Sequence, residues 1–191
     1  MMKVSAVILA GGKSSRMGQK KAKLLLGEES FMDVIIRKLH TLGIEDIIIS
    51  GYDAADARYP VVNDIYPNKG PLAGIHAGLL AAECDSVLVI TEDAPLVPED
   101  FLRLMLKTHE EGDAPVTVAV CGERIQHLPG VYDKKLAPLC EELLQGEKAR
   151  IMTVIDRAGC NKLAYAGEEL FLKGCNTPEE YARVLKLTKN E

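Results

Sequence analysis

No apolar run in this sequence of 191 residues approaches the ~20 residues that would span a bilayer. The N-terminus passes almost directly into a strand-like segment, without the long apolar stretch and small-residue cleavage site of a signal peptide, so a cytoplasmic location is expected. There is no C-x-x-C pair. The five cysteines (Cys84, Cys121, Cys140, Cys160 and Cys175) are scattered and odd in number, which points away from a zinc site or a disulfide framework and towards reduced core thiols. Positive charge is not in excess either: the net charge of −5 excludes broad nucleic-acid binding, although one loop can still be locally basic. Internal repeats, low-complexity tracts and linkers are also missing, and the length suits one domain with a full core.

What is present alternates between two periods. Residues 4–9 (VSAVIL) form a short β-branched run ending at glycines, which predicts a buried parallel strand. Ser30 with Asp33 three residues on predicts a capped amphipathic helix running to about Leu42, with Gly43 as its stop. Strands are predicted over 46–50, 60–63, 86–91 and 116–120, and helices over 72–82 and 99–111. Residues 126–132 read as a strand interrupted by Pro129-Gly130, hence an edge or bulged element. Helices near 134–144 and 150–158, a short strand near 162–166 and a last helix from Pro178, capped by Thr177, complete the chain. This alternation predicts an α/β domain with a mainly parallel central sheet flanked by helices. Ligands of such sheets bind at the carboxyl ends of the strands, near a switch in strand order.

The first strand leads into LAGGKSSRMGQKKAK. Gly12-Lys13-Ser14 is no Walker loop, because that register would require glycine where Val7 stands, and no G-x-G-x-x-G occurs. Gly11 and Gly12 nevertheless allow a sharp turn and close approach of backbone to ligand. Ser14 and Ser15 add hydroxyls, and successive backbone N–H groups can form an anion nest. Arg16, Lys20, Lys21 and Lys23 concentrate positive charge as a nucleoside triphosphate requires.

The whole string, LAGGKSSRMGQKKAKLLLG, resembles the L-A-G-G-x-S-x-R-M-G-x-x-K signature of the MobA-like nucleotidyltransferase family, and within it the molybdenum cofactor guanylyltransferases. The resemblance runs in order from Leu9 to about Val184 and implies a Rossmann-like nucleotidyltransferase fold. It also implies a nucleotide-binding first half (1–95) and a pterin-acceptor second half (96–191). The substrates it implies are GTP and a molybdopterin-type cofactor, the cofactor ion Mg²⁺, and the products a guanine dinucleotide cofactor and pyrophosphate. Molybdoenzyme apo-proteins or an accessory GTP-binding protein are candidate partners.

Asp93 follows the fourth buried strand, in VITEDAPLVPED. Its position suits either a turn residue or a metal ligand. The family's C-D-x-P-type motif matches Asp93-Ala94-Pro95 and makes Asp93 the magnesium ligand. Glu92 stands where the family often has Cys; strand alternation points it away from Asp93, as a structural or solvated residue, the lesser alternative being that it tunes the metal site. The resemblance gives Asp64 a contact with guanosine and gives the GPLAGI segment, with Gly74, a close approach to the ligand. Ser50 falls where the family commonly has a nucleotide-contacting Asn. Thr177-Pro178-Glu179-Glu180 is explained as a helix start with acidic residues facing the dipole. Asn176 is not needed for that cap and lies, by resemblance, beside the metal and phosphates.

The site so read comprises Arg16, Lys21 and Asp93 as catalytic residues. Leu9, Ala10, Gly11, Gly12, Ser14, Lys21, Ser50, Asp64, Gly74, Asp93 and Asn176 form the binding set. His76 and His109 are expected on helix surfaces or in packing contacts, and His127 and Arg150 are candidates for the pterin side. A glycine at position 12 favours guanine over cytosine within the family. Two alternatives stand beside GMP transfer: a cytidylyltransferase acting on the same pterin, and a non-catalytic protein that binds GTP or presents cofactor.

Overall fold

The computed structural model describes residues 2–11, 24–51, 58–147 and 149–187. Nine strands are seen among them: β1 (Val4–Leu9), β2 (Leu25–Leu26), β3 (Glu29–Ser30), β4 (Ile47–Ser50), β5 (Val61–Val62), β6 (Ser86–Thr91), β7 (Val116–Cys121), β8 (Arg124–Asp133) and β9 (Asn161–Ala164). The helices are α1 (Phe31–Thr41), α2 (Pro71–Ala81), α3 (Glu99–Glu111), α4 (Ala137–Gln145), α5 (Ile151–Ala158), α6 (Glu169–Lys173) and α7 (Pro178–Leu187), with a 3₁₀ turn at Lys134–Leu136 before α4. Strands β2 and β3 pair as a small hairpin; the other strands form a seven-stranded sheet in the order β5-β4-β1-β6-β8-β7-β9. All of these run parallel except β8.

The side-chain period of two along each strand divides the core into two layers. From β1, Ala6 and Ile8 join Ile47, Ile49, Leu88 and Ile90 on one face, under α1 and α3. Val7 joins Ile48, Val87 and Val89 on the other, under α2, α4 and α5. A strand buried on both faces has no polar side, which is why β4 reads as an unbroken Ile-Ile-Ile. Gly78 lets α2 lie close on β1, since a Cβ there would stand 2.6 Å from a methyl of Val7.

Both predicted caps form. The Ser30 hydroxyl accepts from the Asp33 amide at 3.1 Å and donates to the Asp33 carboxylate at 2.6 Å. That hydrogen bond, with Arg58 alongside, holds the Asp33 carboxyl below its ordinary range. The Thr177 hydroxyl accepts from the Glu180 amide at 3.2 Å. Glu180 returns its carboxylate to the amides of Asn176 and Thr177, at 2.7 and 3.0 Å. The Asn176 main chain thus joins the cap, although the residue was not needed for it, and its side chain takes no part in these bonds.

Two expected alternatives are decided, and the expectation that all five cysteines are core thiols is corrected for three of them. Strand β8 takes the bulged one of its two expected forms and is not an edge: Gly130, Val131 and Tyr132 pair with both β6 and β7, and Asp133 with β6. The ladder shifts register opposite Val118 and Ala119, and residues 127–129 carry no paired position there, so the missing N–H of Pro129 costs no ladder bond. His76 and His109 take the packing alternative rather than the helix surface; they are 1% and 6% exposed. His109 bridges the Thr117 hydroxyl and the Asp133 carboxylate at 2.9 and 3.0 Å, joining α3 to β7 and β8. Of the free cysteines, Cys140 and Cys175 are core residues, whereas Cys84, Cys121 and Cys160 are half-buried. Burial pushes the Cys140 thiol up to about 12.

Candidate active site

The carboxyl ends of β1, β4 and β6 lie level, with Leu9 in register with Ser50 on one side and Thr91 on the other. The chain runs from β1 out to β4 and β5 on one side and then crosses to β6 on the other, so this is the switch in strand order where open α/β sheets receive ligands. A cavity of about 660 Å³ opens there, a size suited to a small-molecule ligand.

Seven of the predicted binding set line this one cavity: Leu9, Gly11, Ser50, Asp64, Gly74, Asp93 and Asn176. The backbones of the strand-end loops meet beneath it. The Ala10 amide donates to the Ser50 carbonyl at 2.8 Å, so Ala10 supports the wall through its main chain. Gly51 has φ +78°, and a Cβ on it would stand 2.5 Å from the Gly11 Cα, so two glycines allow the contact. A Cβ on Gly74 would come within 2.8 Å of the Ser50 hydroxyl, 3.0 Å of Leu9 Cδ2 and 3.6 Å of Asp64 Oδ1. Gly74 thus brings α2 against three other members of the predicted set.

Asp93 is held from two directions. The Lys38 ammonium donates to the carbonyls of Pro95 and Val97, both at 2.7 Å, fastening the following turn to α1. The Cys175 amide donates to the Asp93 carbonyl at 2.8 Å, and Gly174, at φ +72°, leaves the place of a Cβ to Asp93 itself. This contact brings Asn176 to the cavity from the far end of the chain. Strand β6 ends at Thr91 and the chain turns at Glu92 and Asp93. Strict alternation therefore lapses, and Glu92 lines the same cavity while only 5% exposed. Of the readings expected for Glu92, the solvated one and its facing away from Asp93 are corrected accordingly, while a structural role stands. Burial raises the Asp64 carboxyl above its ordinary value.

Gly12, Ser14, Ser15, Arg16, Lys20, Lys21 and Lys23 lie outside the described residues. The two pterin-side candidates are not on the cavity wall. His127 sits half-buried in β8, where desolvation depresses its pKa, and Arg150 is the exposed N-cap residue of α5. Sequence reasoning missed Gly51, Thr91, Pro67 and Asn68. The positive φ of Gly51 and of Asn68, +63°, leaves only a faint trace in composition.

Residues 6–160 match the family model of the MobA-like NTP transferase domain. The chain belongs to this family. A relative named probable molybdenum cofactor guanylyltransferase, from Carboxydothermus hydrogenoformans, is 33% identical, over 98% of each chain. Another of the same name, from Peptoclostridium acidaminophilum, is 31% identical over 98% of this chain and 90% of its own. The crystal structure of molybdopterin-guanine dinucleotide biosynthesis protein A from Archaeoglobus fulgidus superposes with a TM-score of 0.82. It covers 98% of this chain and all of its own, at 18% identity, and so shares the fold. As a MobA-like NTP transferase, the protein is a nucleotidyltransferase with a single-domain α/β fold. Among its described residues no helix is long and apolar enough to cross a membrane.

Proposed function

We propose that this nucleotidyltransferase moves GMP from GTP onto the terminal phosphate of a molybdopterin-type cofactor, in the cytoplasm, giving the guanine dinucleotide form and pyrophosphate. The observation that carries the reading is the meeting of Ser50, Asp64, Gly74, Asp93 and Asn176 on one cavity at the strand-order switch. The naming of full-length relatives as probable molybdenum cofactor guanylyltransferases supports the choice of substrates.

In this reading residues 1–95 chiefly bind nucleotide and residues 96–191 chiefly bind the acceptor. Asp64 receives the guanosine, Ser50 and the Leu9–Gly12 backbone border the nucleoside, and Ser14, Arg16 and Lys21 take the triphosphate. An oxygen of the acceptor phosphate attacks the α-phosphorus in line; the α–β P–O bond breaks and its electron pair leaves with pyrophosphate. The acceptor oxygen is already anionic near neutral pH, so no general base is required, and catalysis rests on positioning and charge neutralisation.

A divalent metal fits the residues present. Among the described residues no three His, Cys, Asp or Glu side chains are grouped to hold an ion by themselves. The cavity does offer hard oxygen donors in Asp93, Glu92 and Asn176. That is the donor set of Mg²⁺, which takes one or two carboxylates and completes its shell with phosphate oxygens and water. Asp93 would hold the ion, with Asn176 beside the phosphates. When bound, Mg²⁺ supplies positive charge against the α-phosphate and the departing pyrophosphate.

A thermal-shift panel of GTP, CTP and ATP, each with Mg²⁺, tests the assignment. GTP should stabilise the protein most, because a ligand that binds only the folded state raises the melting temperature. Preferential stabilisation by CTP would transfer the activity to cytidylyl transfer.

A further inference from the structure

The wall of the cavity that carries Asp64 is the segment 63–70, between β5 and α2, which also contributes Pro67, Asn68 and Gly70. It has neither strand nor helix of its own, so its position depends on what its side chains grip. Tyr66 reaches across to α4. Its hydroxyl donates to the Glu141 carboxylate at 2.8 Å and accepts from the Gln145 amide at 3.1 Å. Its ring packs on the imidazole of His76 in α2, centroids 5.8 Å apart. His76 is buried, and desolvation keeps its pKa below the ordinary value, so the surface beneath Tyr66 is a neutral ring. Three residues on, the Lys69 ammonium donates to the Gly146 carbonyl at 3.0 Å, where the dipole of α4 favours a cation.

We infer that Tyr66, clasped by Glu141 and Gln145, is a positioning residue that fixes the Asp64 wall of the nucleotide cavity to α4. The inference rests on the reading of this cavity as the nucleotide site. Tyr66 itself is absent from the cavity lining, so it acts through the segment that holds Asp64, Pro67 and Asn68. The clasp makes nucleotide affinity depend on a helix in the half of the chain assigned to the acceptor.

The test compares wild type with Tyr66→Phe, Glu141→Gln and Glu142→Gln. Tyr66→Phe keeps the ring on His76 and removes both hydroxyl bonds. Glu141→Gln retains an oxygen acceptor. Glu142→Gln breaks an ion pair on the same helix, to Arg157, that does not touch the wall. Readouts are the melting temperature without ligand, the added shift with GTP and Mg²⁺, and KM and kcat for pyrophosphate release. Tyr66→Phe should raise KM for GTP by about two- to tenfold, the weight of one or two exchanged hydrogen bonds, and reduce the GTP shift. Its kcat and its melting temperature without ligand should stay close to wild type. Glu141→Gln should retain most of the affinity, and Glu142→Gln should match wild type throughout. An unchanged KM and GTP shift in Tyr66→Phe, beside a wild type that GTP stabilises, would overturn the clasp alone. A wild type that GTP does not stabilise would overturn the nucleotide reading, and the clasp's role with it.

Discussion

Gly74→Ala separates fold from function because one methyl group has opposite effects on the two. In α2 the substitution gains about 1 kcal/mol of helix propensity, since glycine is the poorest ordinary residue in a helix interior. Against this, the new Cβ would stand 2.8 Å from the Ser50 hydroxyl, closer than packed cores allow, and 3.0 Å from Leu9 Cδ2, tighter than most Cβ contacts. Overpacking of this degree costs about 1–3 kcal/mol. The net loss is about 0–2 kcal/mol, or a fall of roughly 0–8 °C in melting temperature for a chain of this size. Relief of the clash requires Ser50, Leu9 or α2 to move, and all three border the cavity with Asp64 only 3.6 Å from the added carbon. Nucleotide affinity should therefore fall at least about tenfold, since displacement of one charge-assisted contact suffices for that. Thermal unfolding with and without GTP and Mg²⁺ reads both quantities in one assay. A variant that melts within this range yet retains the full GTP shift would refute the claim that Gly74 shapes the nucleotide wall.

Asp64→Asn should weaken GTP binding about tenfold or more by removing the carboxylate proposed to contact the guanosine. Because burial raises the Asp64 pKa, the folded state takes up a proton more readily than the unfolded chain. Its contribution to stability thus declines as pH rises from the unfolded value of 3.8 through the raised folded value, and is least favourable above it. The Asn variant should lose that part of the pH dependence and be slightly more stable without ligand at neutral pH. Water screens this half-buried group, so the gain stays under about 1 kcal/mol. Melting curves from pH 4 to 7, with and without GTP, check both signs. His109→Leu should cost about 1–3 kcal/mol in denaturant unfolding, because the buried Thr117 hydroxyl and the Asp133 carboxylate both lose a partner. KM for GTP should not change, since His109 is absent from the cavity wall.

Most of the sheet was legible because parallel strands buried on both faces leave continuous β-branched runs, as at 47–49 and 86–91. The caps at Ser30 and Thr177 were legible because side chain and spacing together specify the bond. The β2–β3 hairpin and the five-residue α6 were not, since two-residue strands and a single helical turn are too short to display a period. The direction of β8 was also hidden, because a strand's orientation depends on the path of its return and leaves no mark in its own residues. In the site, the motifs carried the identity of the residues, and the structure added how they meet. Glu92 joins Asp93 because both lie in the turn beyond Thr91, where strand alternation no longer applies, and Gly74 serves packing against Ser50 and Leu9 as well as the cavity.

The central claim is that Asp93 serves a GTP-consuming transfer to a pterin phosphate. Pyrophosphate release from GTP, with Mg²⁺ and a molybdopterin-type acceptor, tests it most directly in wild type and in Asp93→Asn at equal concentration. Wild type should release pyrophosphate only when the acceptor is present, and Asp93→Asn should fold normally and release almost none. Near-normal turnover by Asp93→Asn, or a wild type that releases none from GTP, would contradict the account.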